Sequence, residues 1–326
     1  RFAHTLAPSA LVAPATSKAE LPPLHDEITL QWGDLASLHY VRDAGATPAK
    51  VLHGALAVGS PLPSVDMPAR GVHAQVAMAA VDVDAWQQAL QRLSPAEPAP
   101  AAETASPAAP AVSLQSYMPD TATLSAQSFT ANGRTLHALS ARGTRNGGLW
   151  NASVEARELS GQIEYREGHA ADPAGQVHAR LTRLAVPQSA VSAVDSLLSP
   201  QPRSLPALDI AVDALELFGR PMGRFEVQAR NRESPDNPAL REWQLIQFNI
   251  TSPEAQLRAS GSWALQPGQP AQPRTALRFA LEIADTGALL TRFSMPGVIR
   301  NGRGRLDGQV AWNGSPLAPD YHSMNG

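Results

Sequence analysis

Leu277-Arg278-Phe279-Ala280-Leu281-Glu282-Ile283 alternates large apolar side chains with small or charged ones at a period of two. Successive side chains of an extended strand point to opposite sides, so Leu277, Phe279, Leu281 and Ile283 share one face while Arg278 and Glu282 share the other. The same period runs through Val72-His73-Ala74-Gln75-Val76-Ala77-Met78, where Val72, Ala74, Val76 and Met78 fall together. It recurs where Ile246, Phe248 and Ile250 alternate with Gln247 and Asn249, and where Leu306, Val310 and Trp312 oppose Arg305, Asp307 and Gln309. Ile163 and Tyr165 likewise oppose Gln162, Glu164 and Arg166. A chain patterned this way is mainly β, in antiparallel sheets with one wet face. Asn132-Gly133, Asn146-Gly147, Asn301-Gly302 and Asn313-Gly314 offer the positive φ angles of tight hairpins, so a meander is the simplest topology.

A second pattern, a strand followed by a short helix and then proline, recurs at a spacing of about a hundred residues. In the first copy Trp86, Leu90 and Leu93 share a helical face, and Asp84 is the expected N-cap. In the second, Pro187 opens a helix with Val191, Val194, Leu197 and Leu198 on one face. In the third, Asp285 caps a helix whose stripe is Leu289, Leu290 and Phe293, and Pro296-Gly297 stops it. Such short helices need tertiary support, and the apolar face of the sheet is the expected place for it.

Stretches 7–23, 94–111 and 266–273 are rich in Pro and Ala. The expected organisation is a Pro-rich entry over 1–29, strands with a short helix over 30–93, a loop without fixed structure over 94–111, and a continued sheet with two further helices over 112–326. The third stretch reads as a long hairpin loop. A length of 326 residues allows two average domains or one large β architecture.

Hydrophobic residues make up 43% of the chain and charged ones 17%, enough apolar material for a sizeable buried or lipid-facing surface. The net charge of −3 comes with acidic and basic residues intermixed, so nucleic acid is not an expected partner. With no cysteine there are no disulfides, thiolate metal sites or thiol nucleophiles. No run approaches the ~18 apolar residues of a membrane span. The ends, Arg1-Phe2-Ala3-His4 and Ser323-Met324-Asn325-Gly326, read as those of an interior fragment whose membrane anchor lies elsewhere.

Catalytic chemistry finds no foothold in these motifs. None of the nine histidines pairs with another at i, i+4, and His73 and His178 occupy polar strand positions, so no metal or other cofactor is expected. Asp82 and Asp84 form a close carboxylate pair where a helix begins, which favours capping over acid-base work. Arg300-Asn301-Gly302-Arg303-Gly304-Arg305 is basic and Gly-rich but lacks the Lys followed by Ser or Thr of a phosphate-binding loop, though its arginines suit lipid phosphates. There is no Gly-x-Ser-x-Gly elbow. The six tryptophans lie mostly in alternating strands and read as core or rim packing. No catalytic residue is assigned, and the protein is expected not to be an enzyme.

Several segments resemble the YhdP branch of the AsmA-like, TamB-related family. They are Asp209-Ile210 onward to Gly219-Arg220-Pro221-Met222-Gly223, Glu242-Trp243-Gln244-Leu245, Ser252-Pro253-Glu254-Ala255-Gln256-Leu257 and Gly261-Ser262-Trp263. Thr286-Gly287-Ala288-Leu289-Leu290, Leu306-Asp307-Gly308 and Trp312-Asn313-Gly314-Ser315-Pro316 are similar to the following part of that family, and Arg42-Asp43-Ala44-Gly45 and Asp82-Val83-Asp84-Ala85-Trp86 to its earlier part. The resemblance extends from about Leu30 onward, with 94–111 as the main departure. It implies a large Gram-negative envelope protein, anchored in the inner membrane outside this segment, with a periplasmic body. That body is an elongated, curled sheet whose apolar groove carries phospholipid toward the outer membrane and supports its permeability barrier. The candidate groove residues are then Val72, Ala74, Val76, Met78, Ile246, Phe248, Ile250, Leu277, Phe279, Leu281 and Ile283, the partners phospholipids, and the expected state monomeric.

The rival is a scaffold or adhesin-like β-sandwich with a dry core. Against it, Ala74, Ala179, Ala229 and Ala259 on or near the apolar faces leave room that a sandwich core would fill. A β-rich carbohydrate-active enzyme is a third reading, requiring a carboxylate pair in a cleft.

Overall fold

The computed structural model describes residues 2–8, 24–46, 48–59, 67–93, 114–131, 133–169, 174–187, 205–233, 241–266, 269–316 and 319–326. These residues are mainly β, as the alternation requires, with two short helices. The chain divides into two compact units, residues 1–130 with 138–146, and residues 131–137 with 147–326. The first division between the units falls after Thr130.

Unit 1 holds β1 (Phe2–Pro8), β2 (Leu24–Trp32), β3 (Ala36–Asp43), β4 (Lys50–Val58), β5 (Gly71–Asp82), nearly all of β6 (Thr121–Ala131) and most of β7 (Arg134–Asn146). Unit 2 holds β8 (Leu149–Glu155), β9 (Leu159–Arg166), β10 (Gln176–Val186), β11 (Ala207–Leu217), β12 (Arg220–Glu233), β13 (Arg241–Thr251), β14 (Ala255–Gln266), β15 (Gln269–Ile283) and β16 (Gly304–Asn313). Within each unit, strands that are neighbours in the chain are neighbours in the sheet. The expected entry segment 1–29 therefore already carries β1 and most of β2, paired antiparallel. Its residues 9–23 lie outside the described ones, as do 94–113.

Among the described strand pairings, the expected antiparallel meander is broken at three places. β4 with β5, β5 with β6, and β10 with β11 are parallel pairs. In each case the connection, 59–70, 83–120 or 187–206, is long enough to return the chain to the end it left, which a two-residue hairpin cannot do. The Asn-Gly pairs divide accordingly. Gly133 (φ +69) and Gly147 (φ +59) join consecutive strands, whereas Asn301 (φ +55) lies before β16 and Gly314 (φ +111) after it. The turn between β11 and β12 is instead Phe218-Gly219, with φ +56 and +76.

Stretch 266–273 is not the expected long loop, for β14 runs to Gln266 and β15 restarts at Gln269. The register jumps there, pairing Leu265 with Pro273 but Gln266 with Gln269. Proline has no amide hydrogen to give the ladder, so the strand is retained and its pairing is interrupted.

Helix α1 (Val83–Leu93) follows β5 directly, and α2 (Thr286–Arg292) follows β15. Asp285 caps α2 as expected, its Oδ1 accepting from the Ala288 amide at 3.0 Å. In α1 the cap is Asp82, which accepts from the Ala85 amide at 2.8 Å, and Asp84 lies in the first turn. Asp82→Ala should therefore loosen α1 by about 1 kcal/mol, with Asp84→Ala costing clearly less, read as amide exchange over residues 85–89. The helix expected after Pro187 falls outside the described residues.

Neither helix has a fully buried residue among its described side chains: Trp86 is half exposed, Leu289 and Leu290 of α2 and its C-cap Phe293 are half-buried, and the side chains of Leu90 and Leu93 lie outside the described ones. Helix α2 sits on strand ends. Arg292 donates to both oxygens of Glu254 at 2.6 and 2.8 Å and to the Pro221 carbonyl, holding the Glu254 carboxyl below its ordinary pKa. In unit 1 a 3-10 turn, Leu114–Tyr117, reaches the apolar face, its Tyr117 ring meeting Tyr40 edge-on at 5.4 Å.

Candidate functional site

The register of unit 2 sets apolar side chains into rows across the sheet. One row runs Ala179, Ile210, Val227, Phe248, Ala259, Phe279, Gly308, from β10 to β16. The next runs Leu181, Val212, Phe225, Ile250, Leu257, Leu281, Leu306, and on the other side lies Val177, Leu208, Ala229, Leu245, Gly261, Leu277, Val310. A fourth, Asn231, Trp243, Trp263, Thr275, Trp312, closes one end. Large residues lie beside small ones in these rows. A Cβ on Gly308 would stand 2.7 Å from the Phe279 ring, so only glycine lets that ring lie flat across β16.

The opposite face is polar. Arg180 pairs with Asp209 at 3.0 Å, Arg224 with Glu226 at 2.9 Å and Arg305 with Asp307 at 2.7 Å. Water therefore has one side of this sheet, and the rows belong to the other.

Burial along the rows is graded. Val212 is fully buried and Trp263 is 1% exposed, within clusters formed by Ala179, Leu181 and Leu215 and by Val227, Ala229, Trp243 and Leu245. Side chains standing on one layer reach such burial only if the face is concave and its own residues lean together. Towards β15 and β16 the first three rows open, while Thr275 and Trp312 keep the fourth row buried. Leu277, Phe279, Leu281 and Ile283 are half-buried, as are Phe248 and Ile250, and Leu306 is 55% exposed. Two of the alanines expected to leave room, Ala179 and Ala229, are instead covered by larger neighbours, whereas Ala74 and Ala259 are half-buried.

Ile246 departs from the expected face. Against β12, Gln247 pairs with Gln228 and Leu245 with Ala229, which leaves Ile246 as the extra residue of a β-bulge. It is 44% exposed, and it lines a shallow pocket with Gln244, Ser260, Ser262 and Arg278. The bulge moves the apolar alternation by one residue, so Trp243 and Leu245, which the spacing did not single out, join Phe248 and Ile250.

In unit 1 the rows are Ile28, Tyr40, Gly54, Val72, then Leu30, Leu38, Leu56, Ala74, Ala122, then Ala36, Val58, Val76, Leu124, with Met78 beside Ala126. Val72 is buried, at 2% exposure, and Ala74, Val76 and Met78 are half-buried. Their neighbours His73, Gln75 and Ala77 are half-buried too, so the two faces of β5 differ less in exposure than in chemistry. A Cβ on Gly54 would stand 2.4 Å from the Tyr40 ring, the same device as at Gly308.

A buried charge interrupts this apolar face, and the periodicity did not single it out. Asp26, 3% exposed, lies two residues before Ile28 and accepts from Arg42 through Nε at 2.9 Å and through Nη2. His4 Nε2 lies 2.9 Å from Oδ2, the oxygen that also accepts from Arg42 Nη2. Arg42 Nη1 donates to the Tyr117 hydroxyl at 2.8 Å, and the Tyr40 hydroxyl donates to the Tyr117 carbonyl at 2.9 Å. The Arg42 hydrogen bonds hold the Asp26 carboxyl below its ordinary pKa against the opposing effect of burial. Burial pushes the Tyr40 phenol up, so it remains a donor at neutral pH. The only sequence signal was an Asp in phase with Ile28 and Leu30.

Among the described residues no three His, Cys, Asp or Glu side chains gather as metal ligands, and no helix is long and apolar enough to cross a membrane. Comparison with curated proteins and with solved structures finds no match. The family model described as YhdP protein matches residues 8–326, and the chain belongs to the YhdP family.

Proposed function

We propose that this chain is a non-catalytic segment of a periplasmic protein that carries phospholipid acyl chains along the apolar face of its sheet, between the inner and outer membranes. The observation that carries this reading is the half-buried set Phe248, Ile250, Leu277, Phe279, Leu281 and Ile283, with no second layer over it among the described residues. A sheet with one apolar face ordinarily buries it against another layer. Here an acyl chain takes that place, gaining ~0.8 kcal/mol per methylene removed from water. Membership in the YhdP family supports an envelope location and a lipid cargo. The anchor is expected in the inner membrane outside this chain, the chain itself to be monomeric, and neither cofactor nor nucleic acid to be needed.

A photo-crosslinking residue at Phe279 or Val76 should capture phospholipid, while one at Arg278 or Gln75, one position along and on the opposite face, should not. Equal capture on both faces would contradict the strand orientation, and capture on neither would remove lipid carriage from this segment.

A second reading has an observation of its own. The near-complete burial of Val212, Trp263 and Ala229 shows that part of the face fills itself, as the core of a scaffold protein would. Mass spectrometry of the denatured, purified chain separates the two: stoichiometric phospholipid supports carriage, and none supports the scaffold.

A further inference from the structure

We propose that one end of unit 2, made by the turn between β11 and β12 and the connection from α2 to β16, docks on an anionic phospholipid bilayer. From Thr286 to Leu306 the sequence carries Arg292, Arg300, Arg303 and Arg305 and no acidic residue. Glu254 neutralises Arg292 and Asp307 neutralises Arg305. Arg300 and Arg303, both exposed, remain as the positive charge of this stretch, while Asp285, one residue before it, and exposed Glu216, two residues before Phe218, add negative charge at its edges. Between these arginines and α2, every residue from 294 to 301 is exposed, including Met295 at 46%, Val298 at 65% and Ile299 at 46%.

The turn at Phe218-Gly219 joins this surface. Arg220 reaches Ser294 Oγ at 3.5 Å and lies 5.9 Å over the Phe293 ring, which draws the two loops together. Phe218 is 48% exposed and holds φ +56, a left-handed position where Asn or Gly is ordinary and a bulky aromatic is strained. An exposed aromatic at a strained hairpin tip gains nothing for the fold.

Apolar tips flanked by unneutralised arginines match a bilayer interface. The apolar side chains enter the boundary between headgroups and acyl chains, and the guanidinium groups meet the phosphates. A folded protein partner fits less well, because the tip projects and offers no concavity to fill. This surface stands independently of acyl chains passing along the sheet, since a scaffold could dock the same way.

The test is co-flotation of the whole chain with vesicles of phosphatidylethanolamine and phosphatidylglycerol, against vesicles of phosphatidylcholine alone. Binding to the anionic vesicles should weaken with added salt. R300E with R303E should reduce it about tenfold or more, and V298D with I299D should reduce it comparably. V298W should shift its emission to the blue on the anionic vesicles only. Far-UV circular dichroism and the melting temperature should stay unchanged in every variant, because the altered side chains are exposed. Equal binding to both vesicle types, binding indifferent to these substitutions, no shift for V298W, or capture of an acidic protein by the loop without vesicle binding would each overturn the proposal. Lipid capture at Phe279 should be unaffected by the loop variants, so failure here leaves the carriage reading to its own test.

Discussion

Replacing Arg42 by alanine should destabilise unit 1 by about 3 kcal/mol, seen as a lower urea midpoint with an unchanged slope for that unit. The loss comes from what remains. Asp26 is 3% exposed on the apolar face of β2, and among the described residues only His4 stands beside its carboxylate once the guanidinium is gone. Removing one partner of a buried pair leaves an uncompensated charge, which costs more than the pair contributes. Replacing both Asp26 and Arg42 by leucine should therefore be far milder than R42A alone. Arg42 also holds the Tyr117 hydroxyl, so R42A should free the 3-10 turn and raise amide exchange over residues 114–117.

The same pair sets an acid limit. Asp26 has a native pKa below its unfolded value, so its contribution is fully present above the unfolded value of about 3.9 and is lost as pH falls through the depressed native one. D26N should be less stable than the parent at neutral pH and should converge with it in acid, where the parent's carboxyl is also neutral. A stability difference independent of pH would show that Asp26 acts through its shape alone.

The strands of the apolar face were legible in the sequence because burial on one side leaves a period of two that local reading detects. Leu277 to Ile283 is the clear case, with Arg278 and Glu282 exposed and Leu277, Phe279, Leu281 and Ile283 half-buried along β15. Ile246 shows where that reading stops. A bulge adds one residue to one strand, and nothing in Ile246, Gln247 and Phe248 marks the extra residue until the register with Ala229 is known. The three parallel pairs were hidden for a related reason, since a strand pattern is the same in either direction and only the connection decides. The cap of α1 was missed by two residues because Asp82 and Asp84 are chemically identical, and only the end of β5 at Asp82 selects between them. Asp26 and Arg42 lie in strands whose apolar members alternate normally, and a buried ion pair shows in a sequence only once the strands are set side by side.

Leu281→Asp should abolish lipid passage through the full-length protein while leaving this chain folded, with a loss in melting temperature of only a few degrees. Leu281 is half-buried between Leu257 of β14 and Leu306 of β16, with Phe279 and Ile283 on either side along β15. Its neighbour Leu306 is 55% exposed, so in the empty protein a carboxylate at this position can reach water. An acyl chain lying on the row changes that. The charge must then be stripped of water or the chain must leave a hydrated gap, and either costs on the order of several kcal/mol at the point of passage. Val212→Asp is the control that gives the result its meaning. Val212 is fully buried in the same row, two strands from Ile250, and a charge there has no water to reach, so that variant should unfold unit 2 whether or not lipid is carried. If Leu281→Asp unfolds the chain as Val212→Asp does, the face is a closed core along its whole length and the scaffold reading gains. If it remains folded and transport continues, lipid does not follow this row. Only a folded protein that no longer passes lipid fits a face open at β15 and β16 and filled by acyl chains.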